Sequence, residues 1–80
     1  MRLGAVDVYA MERMEPRPHG EVDGSDLFAD YVVWCRWRGE AAYEEGLFRI
    51  QLMALAGEVG IPVRGSVKTM ICGEVGLIGR

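Results

Sequence analysis

His19, Cys35 and Cys72 are the side chains best suited to hold a metal or attack a substrate, and their spacing serves neither task. A structural zinc site takes about four ligands, commonly in closely spaced pairs. A cysteine nucleophile needs a base within hydrogen-bond reach, and His19, set between Pro18 and Gly20, has no reason to approach either thiol. Two carboxylate pairs are equally unsuited to acid–base work. Asp26 and Asp30 stand four apart on the outer side of an expected helix, and Glu44-Glu45 begins another, where negative charge favours the helix dipole. Neither pair implies a cleft that would drive two pKa values apart. Gly-Glu-Val-Gly occurs at 57–60 and again at 73–76, but without the lysine and hydroxyl of a phosphate loop. The first copy is expected to close a helix and the second to lie in a hairpin. The chain therefore reads as non-enzymatic, with no cofactor and no metal.

The elements that would position any functional residue follow from periodicity. Leu3, Val6, Ala10 and Met14 fit one face of a helix over 3–14, although Val6, Val8 and Ala10 also alternate as a strand would. Pro16, Pro18 and Gly20 make 15–24 a connector, with a short extended piece at 21–23. A second helix is expected over 25–38. Ser25 caps it, Asp26 suits its dipole, Leu27, Tyr31, Trp34 and Cys35 form its apolar face with Phe28, and Gly39 stops it. After a brief turn at 39–43, Phe48, Leu52 and Leu55 recur on a third helix that runs from Glu44 to a stop near Gly57 or Gly60. Beyond Pro62, the β character of Val63, Val67, Thr69 and Ile71 leads through Cys72-Gly73-Glu74 into 75–78, a terminal hairpin. The resulting class is α+β: a winged helix-turn-helix of three helices and a C-terminal β-hairpin wing, in one domain over 1–80. The alternative is a three-helix α+β domain whose hairpin only caps the core.

Eighty residues, 50% apolar and 26% charged, suit a small globular domain rather than a disordered chain. The net charge of −3 weighs against a dedicated nucleic-acid binder, which usually carries a basic excess. No apolar run approaches the ~20 residues of a membrane span, no secretory signal pattern opens the sequence, and two cysteines do not make a disulfide scaffold. A cytoplasmic protein is expected.

The run Gly24-Ser25-Asp26-Leu27-Phe28-Ala29-Asp30-Tyr31, the pair Trp34-Cys35, Gly39-Glu40, Phe48, Leu52 and a glycine-bearing end at 76–79 together resemble the C-terminal module of phage and plasmid DNA primase-helicases of the poxvirus primase type. The likeness spans most of 6–80. It implies a winged helix that contacts DNA or neighbouring chains, while the polymerase and ATPase sites belong to other domains. In that family the third helix usually carries several basic residues on its outer side. Here that helix begins Glu44-Glu45 and offers Leu47, Arg49, Ile50, Met53 and Ala54.

Two surfaces thus compete. If DNA is the partner, Arg49 and Gln51 read base edges through paired hydrogen bonds, and Arg64 and Lys68 on the wing fix register on phosphates. If protein is the partner, Leu47, Ile50 and Met53, extended by Trp37 and Val33, form an apolar face for a homodimer or for docking onto a larger replication protein. A third arrangement covers that strip with the first helix of the same chain.

Overall fold

A computed structural model describes residues 2–79. Helix α1 (Val6–Arg13) leads into strand β1 (Met14–Asp23). Helices α2 (Gly24–Trp37) and α3 (Glu45–Val59) follow, then strands β2 (Val63–Arg64) and β3 (Ile71–Leu77). The strands form one antiparallel sheet in the order β1-β3-β2. The class is α+β, with three helices and three strands among the described residues.

The expected connector at 15–24 is instead the longest strand. Its prolines are tolerated because β1 is an edge strand, bonded to β3 on one side only, so a missing N–H on the free side breaks no ladder. Pairing runs from Met14 opposite Leu77 to Pro16 opposite Val75, is interrupted, and resumes from Glu21 opposite Gly73 to Asp23 opposite Ile71. The interruption is a bulge in which His19 (φ 62°) and Glu74 (φ 60°) both take left-handed backbone, and the His19 N–H donates to Glu74 Oε2 at 3.3 Å. Gly20 fits there because a Cβ would lie 2.5 Å from the Val75 carbonyl oxygen. Cys72-Gly73-Glu74 is therefore not a hairpin turn but the middle of β3. The reversal lies earlier, where left-handed Gly65 (φ 82°) packs on Thr69 and Thr69 Oγ1 accepts from the Ser66 N–H at 3.0 Å.

The helices follow their apolar spacing more closely. α1 begins at Val6 rather than Leu3, because the residues before it bond to the α2–α3 loop: the Gly4 N–H reaches the Ala41 carbonyl at 2.9 Å, and the Ala41 N–H reaches that of Arg2 at 2.8 Å. α2 is capped by Asp23, not Ser25: Asp23 Oδ1 accepts from the Asp26 N–H at 2.8 Å. Gly39 (φ 67°) follows the end of α2 and Gly60 (φ 82°) closes α3, both left-handed as helix ends require.

Tyr9 is the hub of the core. Its ring meets Tyr31, Trp34 and Phe48 edge-on at 5.5, 5.6 and 5.9 Å, and Tyr31 stacks on Phe48 at 4.5 Å. Leu27, Cys35 and Leu52 fill in around the rings, and Met70, Cys72, Val75 and Leu77 bring the sheet onto them. Asp30, expected on a solvated face, is buried instead. Arg13 Nε and Nη2 grip its two oxygens at 3.0 and 3.1 Å, and the Tyr9 hydroxyl donates to Oδ2 at 3.0 Å. That carboxylate in turn raises the pKa of Arg13.

Burial pushes the Cys35 and Cys72 thiols up from their ordinary range and the Tyr31 hydroxyl up to about 12. All three are acids that the fold prefers neutral, so the unfolded chain releases their protons first. Their contribution to stability is whole below the ordinary thiol pKa, and declines as pH rises through about 8.5 and then about 10. Under reducing conditions the urea midpoint is expected to fall across that alkaline range, and a Cys72→Val variant to lose part of the fall. Native labelling of both thiols should be slow until urea is added. Rapid labelling of Cys72 in the absence of urea would contradict this packing.

Candidate functional site

The surface that the sequence marks for recognition is α3 with the strands that follow it. Its N-terminus is set by Glu44, extended at φ −65° and ψ 158°, and its C-terminus by Gly60, so the two ends are fixed by backbone geometry rather than by side-chain caps. Phe48, Leu52 and Ala56 are buried against the core. The remaining positions decide what the helix offers outward.

Arg49 does not point outward. The residue is 7% exposed, and its guanidinium is fully engaged within the chain. Nε and Nη2 donate to Glu45 Oε2 at 3.0 and 2.6 Å, Nη1 donates to the carbonyls of Val67 and Lys68 at 3.0 Å each, and Nη2 also reaches Ser25 Oγ at 3.0 Å. It thus ties α3 to the start of α2 and to the loop between β2 and β3. Gly24 lies against it, since a Cβ there would sit 2.7 Å from Nη1. With these bonds made, Arg49, expected to read base edges, has no N–H group left to offer a groove. The signal for it was present as Glu45 and Arg49 four apart, a spacing that forms helix ion pairs.

The other three proposed DNA contacts do not converge on a cationic surface. Gln51 is half-buried on α3. Arg64, exposed on β2, is ion-paired through Nη2 with Glu21 Oε2 on β1. Lys68 is exposed in the β2–β3 loop and has no carboxylate partner among the described residues, so it is one free charge beside an acidic chain.

The apolar residues divide differently. Leu47, Ile50 and Ala54 lie on one outward stripe of α3, with Ile50 55% exposed, and α1 does not cover them. Gly46 and Gly57 lie on the same side, and a Cβ at either would meet nothing within 4 Å. Met53, expected on this face, is half-buried against the core periphery. Trp37, 84% exposed, stands with Val33 on α2 beside Arg13 and Asp30, around a shallow recess of about 50 Å³.

Sequence reasoning missed a larger feature. A groove of about 620 Å³ opens between α1, the C-terminal end of α3 and the β1–β3 pair, over Met14, Leu55 and Val75. It depends on β1 being a strand, which the prolines disguise. As for metals, no group of three or more His, Cys, Asp and Glu side chains is placed to hold an ion among the described residues, and no helix there is long and apolar enough to cross a membrane.

Replacing Arg49 by methionine strips a donor from two carbonyls and a partner from Glu45, and is expected to cost about 2–3 kcal/mol, read from denaturation midpoints. Gly24→Ala should destabilise in the same direction by displacing the guanidinium, and both variants should expose 65–70 to limited proteolysis. An Arg49→Met protein as stable as the parent would remove the clamp from this account. As to kinship, no protein-family model matches the chain, and no curated protein and no solved structure matches it.

Proposed function

We propose that this chain is a non-catalytic winged-helix module, of the kind that ends phage-type primase-helicases, and that it acts by assembling protein chains rather than by reading DNA. The order α1-β1-α2-α3-β2-β3 with strand order β1-β3-β2 supports the winged-helix reading: two helices joined through a glycine turn are followed by a pair of antiparallel strands, and β1 extends that pair into a sheet. In a helix-turn-helix the second helix is the one that enters the major groove. That helix is α3.

The observation that carries the proposal is the composition of α3's outward stripe. Leu47, Ile50 and Ala54 occupy it, Gly46 and Gly57 flank it, and the helix's sole arginine is turned inward. A phosphate backbone is bound through exposed cations, and this stripe has none. A second copy of the same helix fits it better. Small residues allow two backbones to approach closely, and Glu58, one turn beyond Ala54, is the one charged residue on this face, so a symmetry mate packed about Ile50 meets mainly apolar side chains. Glycine within a helix costs ~1 kcal/mol relative to alanine, and neither Gly46 nor Gly57 is required by contacts inside its own chain. Free, buried thiols at Cys35 and Cys72 suit a reducing compartment such as the cytoplasm.

Light scattering across a concentration series is expected to show a monomer–dimer equilibrium for the parent chain. Ile50→Glu should shift it to monomer, with an unchanged circular dichroism spectrum and melting midpoint. Titration with labelled duplex DNA at two salt concentrations should show no salt-sensitive binding. A parent chain that stays monomeric at every concentration removes the homodimer, and salt-sensitive binding abolished by Lys68→Ala would restore the DNA reading.

A further inference from the structure

The groove between α1, α3 and the sheet is a second surface, separate from the outward stripe of α3. Its floor is apolar: Val75 is buried, and Met14 and Leu55 are half-buried. Its rim carries two large apolar side chains held in water, Met11 at 83% and Val59 at 61% exposure. An apolar residue left this open at each lip of a concave apolar surface gains burial only when something enters between them.

The charge around it has one sign. Asp7 on α1, Glu15 on β1 and Glu74 on β3 line the groove, and among the described residues no lysine, arginine or histidine does. Glu15 is compensated by Arg17 Nη2 at 2.8 Å. Glu74 accepts only a backbone N–H, that of His19, and Asp7 is exposed with no ion pair among the described residues. Two uncompensated carboxylates therefore stand on separate walls, one on the helix side and one on the sheet side.

We infer that this groove receives an amphipathic helix of a partner protein, with its apolar stripe toward Met11, Leu55 and Val59 and with lysine or arginine beside that stripe. An open trough walled by helices accepts the i, i+3, i+4 and i+7 positions of such a helix. Met11 and Met14, unbranched and polarizable, adapt to the side chains that enter. A basic margin on the partner meets Asp7 and Glu74, whereas an acidic partner meets repulsion on both walls. The inference does not depend on dimerisation through α3, and the two fail separately.

The probe is a fluorescein-labelled amphipathic Leu/Lys helix of about four turns, compared by anisotropy with a Leu/Glu helix of the same pattern and a scrambled Leu/Lys peptide. The Leu/Lys helix is expected to bind, and the other two to bind at least about tenfold more weakly. Val59→Lys and Met11→Lys, at exposed positions that leave the core untouched, should each weaken binding about tenfold, and Asp7→Lys should weaken it and reduce its salt dependence. Ile50→Glu should leave it unchanged. Equal binding of the scrambled peptide, or no effect of either Val59→Lys or Met11→Lys in proteins with parental melting midpoints, would overturn the inference.

Discussion

The guanidinium of Arg49 sits where the start of α2, the first turns of α3 and the β2–β3 loop meet, and it gives each a hydrogen-bond partner. A buried cation is tolerable only when its charge and donors are answered. Glu45 answers the charge, and two carbonyls and a serine hydroxyl answer the remaining N–H groups. Among the described residues no buried side-chain nitrogen or oxygen lacks a partner, so the network is closed. That closure has a consequence for the surface. The cation that fixes the loop against α3 is withdrawn from the outward face of the same helix, and what remains there is mainly apolar.

Within the core, two hydroxyls play the corresponding part. Tyr31 donates to the Gly4 carbonyl at 2.8 Å and accepts from the Tyr43 N–H at 3.0 Å, which links the segment before α1 to the loop before α3. Tyr9 carries the Asp30–Arg13 pair into the aromatic cluster from α1. Both rings are enclosed on all sides while their oxygens bond to backbone or carboxylate, so one side chain supplies apolar area and a polar tie together. In a chain of 80 residues, with little core to spare, this doubling lets three short helices and a three-stranded sheet share one centre.

Which parts were legible from the sequence follows from the same physics. α2 and α3 were readable because Leu27, Tyr31, Trp34, Phe48 and Leu52 recur at helical period and all are buried. β1 was not, because Pro16, Pro18 and Gly20 signal a break, and only the edge position, a tertiary fact, makes them acceptable in a strand. β3 was obscured by its own bulge. Burial passes from Cys72 to Val75, three residues on, so no period of two survives around Glu74. Asp30 misled because charge predicts exposure on average and its partner Arg13 is distant in sequence; at Arg49 the Glu45 spacing was visible, but the Val67 and Lys68 carbonyls that hold the guanidinium inside are not near it in sequence.

α3 joins the two proposed surfaces because it is apolar on more than one side. Leu55 and Val59 line the groove while Leu47, Ile50 and Ala54 face away from the core, and Phe48, Leu52 and Ala56, with Met53 beside them, are spent on the interior. A helix of this kind is stable in water when its remaining faces are covered, in whole or in part of the population. A chain of net charge −3 resists indiscriminate association through mutual repulsion. Contacts that do form must therefore be local and shaped. The two proposed places on α3 differ in what they would select: the outward stripe, mainly apolar, would match itself, whereas the groove, bordered by Asp7 and Glu74, would discriminate by the sign of its partner's charge. On the two proposals together, one helix would hold a like chain on one side and a basic helix on another, and neither contact would use the residues of the other.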